Sequence, residues 1–191
     1  MGAVAHLAPN AGDSVVFLFD YLSFIAIDAL VLLYCARFEK DLFRGYILGA
    51  LRRRYPVWLA IAANALLFGA LHLANPGVTG LSLLGIVFIG LALSFVVYYL
   101  DSIWMAIAIH TAWNFTQNFL FGLPNSGIVS KGSFLHLEAA KDSAFYDVGF
   151  GVESTVTAVL VVALFGAAVV LYARKKDRGE TERSTRMEDK P

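Results

Sequence analysis

Residues 81–100 read LSLLGIVFIGLALSFVVYYL, twenty consecutive positions without a charged side chain. Wound as an α-helix at about 1.5 Å per residue, such a run is roughly 30 Å long, the thickness of the hydrocarbon core of a bilayer. Working outward, residues 57–74, 103–121 and 152–173 form comparable apolar runs, each of spanning length. Hydrophobic residues make up 58% of the 191 positions and the mean hydropathy is +0.66, more apolar surface than a soluble domain of this length buries. The expected fold class is therefore all-α: a polytopic transmembrane helix bundle of about five spans around a central polar cavity.

Turn chemistry separates the runs. Tyr55-Pro56, Asn75-Pro76-Gly77 and Gly122-Leu123-Pro124-Asn125 each break a helix and set its neighbours antiparallel. Residues 15–51 are apolar apart from Asp20, Asp28 and the charges between Arg37 and Arg44. As one helix they would be about 55 Å long, so this region is expected to break, tilt or lie partly in the interface. Arg52, Arg53 and Arg54 precede the 57–74 run, and Arg174, Lys175, Lys176 and Arg178 follow the last one, while the 75–80 turn has no basic residue. The positive-inside rule puts both basic clusters in the cytoplasm and the 122–151 loop, with His136, outside, as in a plasma-membrane protein. Residues 1–173 then form the integral membrane domain. Residues 174–191 form a charged cytoplasmic tail without apolar periodicity, expected to be disordered.

Several function classes are excluded. Fifteen Lys and Arg residues balance fifteen Asp and Glu, and the cations cluster instead of interleaving with aromatics, so no nucleic-acid partner is expected. Cys35 is the single cysteine, which leaves neither an intramolecular disulfide nor a cysteine-based zinc site. Met1 to Asp13 lacks the basic start of a secretory signal, and His6 stands where myristoylation requires Ser or Thr. Anchoring falls to the helices, and the lipid bilayer is the first partner.

Against this background the polar residues within the apolar segments carry the chemistry. A carboxylate or imidazole facing lipid costs several kcal/mol, so such groups turn inward and mark a reaction centre or a path. They are Glu39 with Arg44, His72 behind Phe68, and His110 with Asn114. Counted inward at about 1.5 Å per residue, Glu39, His72, His110 and Asn114 fall at similar depths on three different segments, where packed helices bring them to one cavity. His110 and Asn114 are four apart and share a helix face. Asn75, three residues beyond His72, is placed to support it. The aromatics Trp104, Trp113, Tyr98 and Tyr99 read as interfacial or packing groups.

These residues carry a family resemblance. Phe38-Glu39-Lys40-Asp41-Leu42-Phe43-Arg44-Gly45 resembles the Glu-Glu-x-x-x-Arg motif of the CAAX-protease and bacteriocin-processing family, also called the abortive-infection family. Phe68-Gly69-Ala70-Leu71-His72 is similar to its Phe-x-x-x-His motif, and His110-Thr111-Ala112-Trp113-Asn114 to its His-x-x-x-Asn motif. The three stand in the family's order across residues 38–121, and Gly149-Phe150-Gly151 before the last span is familiar in type. The resemblance implies an intramembrane glutamic endopeptidase similar to the type II CAAX prenyl endopeptidases. It implies a water-activating pair in Glu39 and His72, an oxyanion-stabilising pair in His110 and Asn114, no metal and no cofactor. Its partners would be a peptide or lipidated protein substrate and, with fewer leading spans than relatives usually carry, a membrane-protein partner.

One departure bears on activity. The second motif glutamate is Lys40, which sets a cation four residues before Arg44 and beside Glu39. A neighbouring ammonium favours the ionised carboxylate and makes it a weaker base, while Asp41, three residues before Arg44, is placed to pair with that arginine. Three readings follow: a metal-independent peptidase; a non-catalytic relative acting as a scaffold or bacteriocin-immunity-type binding protein; and a metal hydrolase using His72, His110 and a carboxylate. The last lacks the His-Glu-x-x-His pair that such sites commonly use.

Overall fold

The computed structural model describes residues 4–6, 46–129, 133–138 and 140–188. Glu39, Lys40, Asp41 and Arg44, with most of the 15–51 region, lie outside the described residues. The described chain is a helical bundle: α1 (Leu48–Arg52), α2 (Val57–Leu71), α3 (Gly80–Tyr99), α4 (Ile103–Phe115) and α5 (Val156–Glu188). Two three-residue segments, β1 (Val4–His6) and β2 (His136–Glu138), pair antiparallel with Ala5 opposite Leu137. His136, expected in an irregular loop, is thus a strand residue opposite His6.

Local chemistry sets the helix ends where the turn signals lie. Pro56 holds an extended backbone at the N-cap of α2, and its carbonyl accepts from Leu59 and Ala60 at 3.0 and 3.1 Å. Thr79 and Ser82 close a reciprocal capping box on α3: Ser82 N donates to Thr79 Oγ1 at 3.1 Å and Thr79 N to Ser82 Oγ at 2.6 Å. That satisfies two of the backbone donors a helix start leaves open. Ser102 caps α4 by accepting from Met105 N at 3.1 Å.

α3 is the central element, packed between α2 and α5. Phe68, Ile86 and Phe150 form the buried cluster nearest the loops, and Leu93, Val96, Ala106 and Val169 form the cluster at the opposite end. The guanidinium of Arg52 lies over the Tyr98 ring, 5.0 Å from its centroid, which sets the 52–54 arginines beside the end of α3. Within the core Asn64 Nδ2 donates to Ser94 Oγ at 3.0 Å, a polar tie between α2 and α3 of the kind that joins membrane helices. Leu66 and Leu67 on α2 and Leu164 and Leu171 on α5 point outward, exposed as lipid-facing side chains are.

Three described helices are long and apolar enough to cross a membrane: Val57–Ala74, Gly80–Tyr99 and Val156–Thr181. The fourth expected run, 103–121, is helical as far as Leu120 but changes character. Its regular α-helix stops at Phe115, and Thr116–Leu120 continues as a π-turn that buries Gln117, Asn118 and Phe119 together. The wider turn brings consecutive side chains inward, which three polar or bulky groups at 117–119 require in an apolar setting. The tail also differs from expectation. In place of disorder from residue 174, α5 runs on to Glu188. Its Arg, Lys and Glu residues are good helix formers, and Lys176 pairs with Glu180 one turn on at 3.8 Å.

Candidate functional site

His72 sits where α2 ends: it is the C-cap of that helix and opens a 3-10 turn through Ala74. Its Nδ1 lies 2.9 Å from the carbonyl oxygen of Phe68, one turn back. A carbonyl only accepts, so Nδ1 carries the hydrogen and Nε2 of the neutral ring keeps its lone pair. The backbone thus selects the tautomer. That leaves a base, oriented by its own helix.

His110 reaches the same place from α4. The Phe68 ring packs against the His72 imidazole at 4.8 Å between centroids and edge-on against His110 at 6.0 Å. Phe68 is 2% exposed and His110 8%, so the aromatic spacer and the second imidazole are buried while His72 remains half-exposed. The two imidazoles thus contact one ring, that of Phe68. Asn114 lies one turn beyond His110, half-buried, with its Oδ1 buried and unpartnered among the described residues; Thr111 Oγ1 is in the same position. A buried acceptor without a partner costs about 1–3 kcal/mol, and Asn64 Oδ1 and Gln117 Oε1 are in the same state among the described residues.

Asn75 points elsewhere than at the His72 ring. Its side-chain amide donates to the carbonyl of Ser126 at 2.8 Å, and it meets His72 only through its backbone N–H, which donates to His72 O at 3.0 Å. It therefore joins the His72 turn to the loop that follows α4.

The same loop leads to a group that reading the sequence missed. Glu153, in the 3-10 turn before α5, is 2% exposed. Its Oε1 accepts from the Trp113 indole N–H at 2.8 Å and from Gln117 Nε2 at 3.5 Å, and its Oε2 accepts from the Ser126 hydroxyl. Gly151, at φ +105°, makes the bend that turns this residue inward, a conformation side-chain-bearing residues avoid. Gly85 on α3 allows the approach, because a Cβ there would collide with the Glu153 carbonyl oxygen. The signal is a lone acid at the head of the apolar run 152–173, two residues after Gly149-Phe150-Gly151.

Beside His110 a cavity of about 230 Å³ opens between α3, α4 and α5. His110 and Trp113 form one wall; Ile89, Leu93, Val161 and Phe165 supply apolar surface on the others. It is large enough for a branched apolar side chain. Among the described residues no three His, Cys, Asp or Glu side chains gather closely enough to hold a metal ion, and Glu39 lies outside that set.

Residues 17–116 match the family model described as type II CAAX prenyl endopeptidase Rce1-like. No curated protein and no solved structure matches the chain.

Proposed function

This chain belongs to the type II CAAX prenyl endopeptidase Rce1-like family, and from that premise we propose that it is an intramembrane endopeptidase of the glutamic type. Membership gives the coarse activity, a CAAX-protease-type hydrolase that acts on peptide within a bilayer. The observation that carries the finer reading is the His72 ring, held by the Phe68 carbonyl with Nε2 left basic and packed through Phe68 toward His110.

In this reading Glu39 removes a proton from water while His72 Nε2 orients that water, and the resulting hydroxide adds to the scissile carbonyl carbon. His110 and Asn114 donate hydrogen bonds to the oxyanion as it forms. Collapse of the tetrahedral intermediate breaks the C–N bond, and the proton taken from water passes to the leaving amine. The substrate is a prenylated peptide ending in Cys, two aliphatic residues and a terminal residue. The unaltered chain in nanodiscs should release the terminal tripeptide from such a peptide, and Glu39→Gln should abolish release while the protein still elutes as a folded species. Equal turnover by Glu39→Gln would remove the glutamic mechanism.

Lys40 favours a second reading, a non-catalytic scaffold or immunity-type binding protein. Its mark is full biological activity in the Glu39→Gln variant.

A further inference from the structure

We infer that Glu153 is a positioning residue for the proposed reaction: a buried carboxylate that fixes Trp113 and, through Ser126 and Asn75, ties the helix carrying His110 and Asn114 to the turn carrying His72. The inference rests on the proteolytic reading for its consequence and on the hydrogen bonds for its content.

Glu153 meets three separate stretches of chain. Trp113 lies between His110 and Asn114 on α4, Gln117 lies in the π-turn that follows, and Ser126 lies in the loop. The Ser126 backbone carbonyl then holds the amide of Asn75, three residues beyond His72. One acid therefore stands at the junction of the two motif-bearing segments, which also meet across an aromatic ring. A carboxylate is the side chain that such a junction needs. The indole N–H and Nε2 of Gln117 only donate, and a carboxylate offers two oxygens that only accept. A buried charge without this set would be costly in a bilayer, so the donors and the acid support one another. The indole thus held lies three residues beyond His110 and lines the same cavity, so its tilt bears on where that imidazole stands. Displacing a supporting group by about an ångström lowers turnover without weakening binding when the affected contacts form chiefly in the transition state.

Two arms test this on the full-length chain in nanodiscs. In the first, turnover of a farnesylated, internally quenched peptide is measured for Glu153→Leu, Trp113→Phe and the double variant, each normalised to folded protein by gel filtration. Each single change should lower kcat at least tenfold with KM within threefold, the double should be no worse than the worse single, and Glu153→Gln, which keeps one acceptor, should recover part of the loss. Unchanged kcat per folded molecule, or losses that multiply in the double variant, would overturn the assignment.

In the second arm Trp58 and Trp104 are changed to phenylalanine, leaving Trp113 as the lone tryptophan of the three in the chain. Its emission should shift when Glu153→Leu is added, and an unmoved spectrum would overturn the inference. An unaltered chain that cleaves no peptide defeats the proteolytic reading and with it the consequence for turnover, while the spectrum still decides whether Glu153 holds the indole.

Discussion

Two polar sites lie within a few turns of each other in this bundle, and they are satisfied in opposite ways. At Glu153 both carboxylate oxygens are met, by an indole, an amide and a hydroxyl, although Oε1 of the same Gln117 is buried without a partner among the described residues. Around Asn114 the accounting stays open, since its Oδ1 and the Oγ1 of Thr111 are buried without partners among the described residues. In a medium without water to compensate, a carboxylate whose oxygens are both met holds segments together, and an acceptor left open is a local cost. The same α4 helix carries both, with Trp113 turned to one and Asn114 to the other. The difference lies in the carboxylate: Glu153 gathers three donors, while Asn114 Oδ1 meets none among the described residues.

That contrast breaks most visibly at His72. Replacing it by alanine removes the oriented Nε2 and leaves the Phe68 carbonyl at a helix end where the backbone or lipid-interface water can reach it. Cleavage of a prenylated peptide should fall by at least about a thousandfold with little change in melting temperature, since the ring is half-exposed and its described contacts are the Phe68 carbonyl and the Phe68 ring. A large loss of stability with modest loss of turnover would move His72 to the bracing group. Next in size, Asn114→Ala should cost roughly a hundredfold or more in kcat, the usual penalty for one oxyanion donor, with KM nearly constant. Removing an atom that is already unpartnered should leave stability close to unchanged, which a thermal melt in detergent checks.

Lys40→Glu probes the first motif, whose residues lie outside the described structure. The change removes a cation four positions before Arg44 and restores the paired carboxylates of the family motif. A neighbouring anion raises the affinity of Glu39 for protons, which makes it a better base. Turnover should rise about tenfold, and the pH at which activity falls on the acid side should move upward. A variant without either change would assign the lysine to a role other than tuning Glu39.

What was legible in the sequence follows the same division. The spans at 57–74 and 81–100 were readable because lipid-facing helices have no alternative to an uninterrupted apolar run, and their ends because Pro56 and the Thr79–Ser82 box act locally. His72, His110 and Asn114 were readable as exceptions within such runs. The π-turn at 116–120 was hidden, because what it accomplishes is the burial of Gln117 against a residue 36 positions away. Glu153 was hidden for the matching reason. Its partners come from α4 and the loop, and one acid at the start of a span reads equally well as an interfacial charge. Helix continuation past 174 was obscured by composition: Lys, Arg and Glu lower hydropathy while they raise helix propensity.

Smaller effects sharpen the bracing side. Gly85→Ala places a methyl group against the Glu153 carbonyl oxygen, backbone that has no flexible end to give way. Overpacking of that kind costs about 1–3 kcal/mol, so the melting temperature in detergent should fall by several degrees. Turnover should drop with it if the turn bearing Glu153 is what moves. A stable protein with full turnover would mean that α3 and the 3-10 turn separate without consequence.

The smallest expected effect belongs to Asn64, a third buried polar group. Its Nδ2 donates to Ser94 Oγ, but that hydroxyl also donates to the Gly90 carbonyl at 2.7 Å, and Asn64 Oδ1 has no partner among the described residues. Asn64→Leu, similar in volume, removes one hydrogen bond and one unpartnered acceptor together, and Ser94 keeps its bond to Gly90. Interhelical hydrogen bonds in membranes contribute about 0.6 kcal/mol on average, and burying apolar atoms in place of an orphaned oxygen offsets part of that. The melting temperature should therefore stay within about two degrees of the unaltered chain, with turnover unchanged. A loss as large as that of Gly85→Ala would show that the Asn64–Ser94 tie sets the α2–α3 register, and so the height at which Phe68 presents its ring to the two imidazoles.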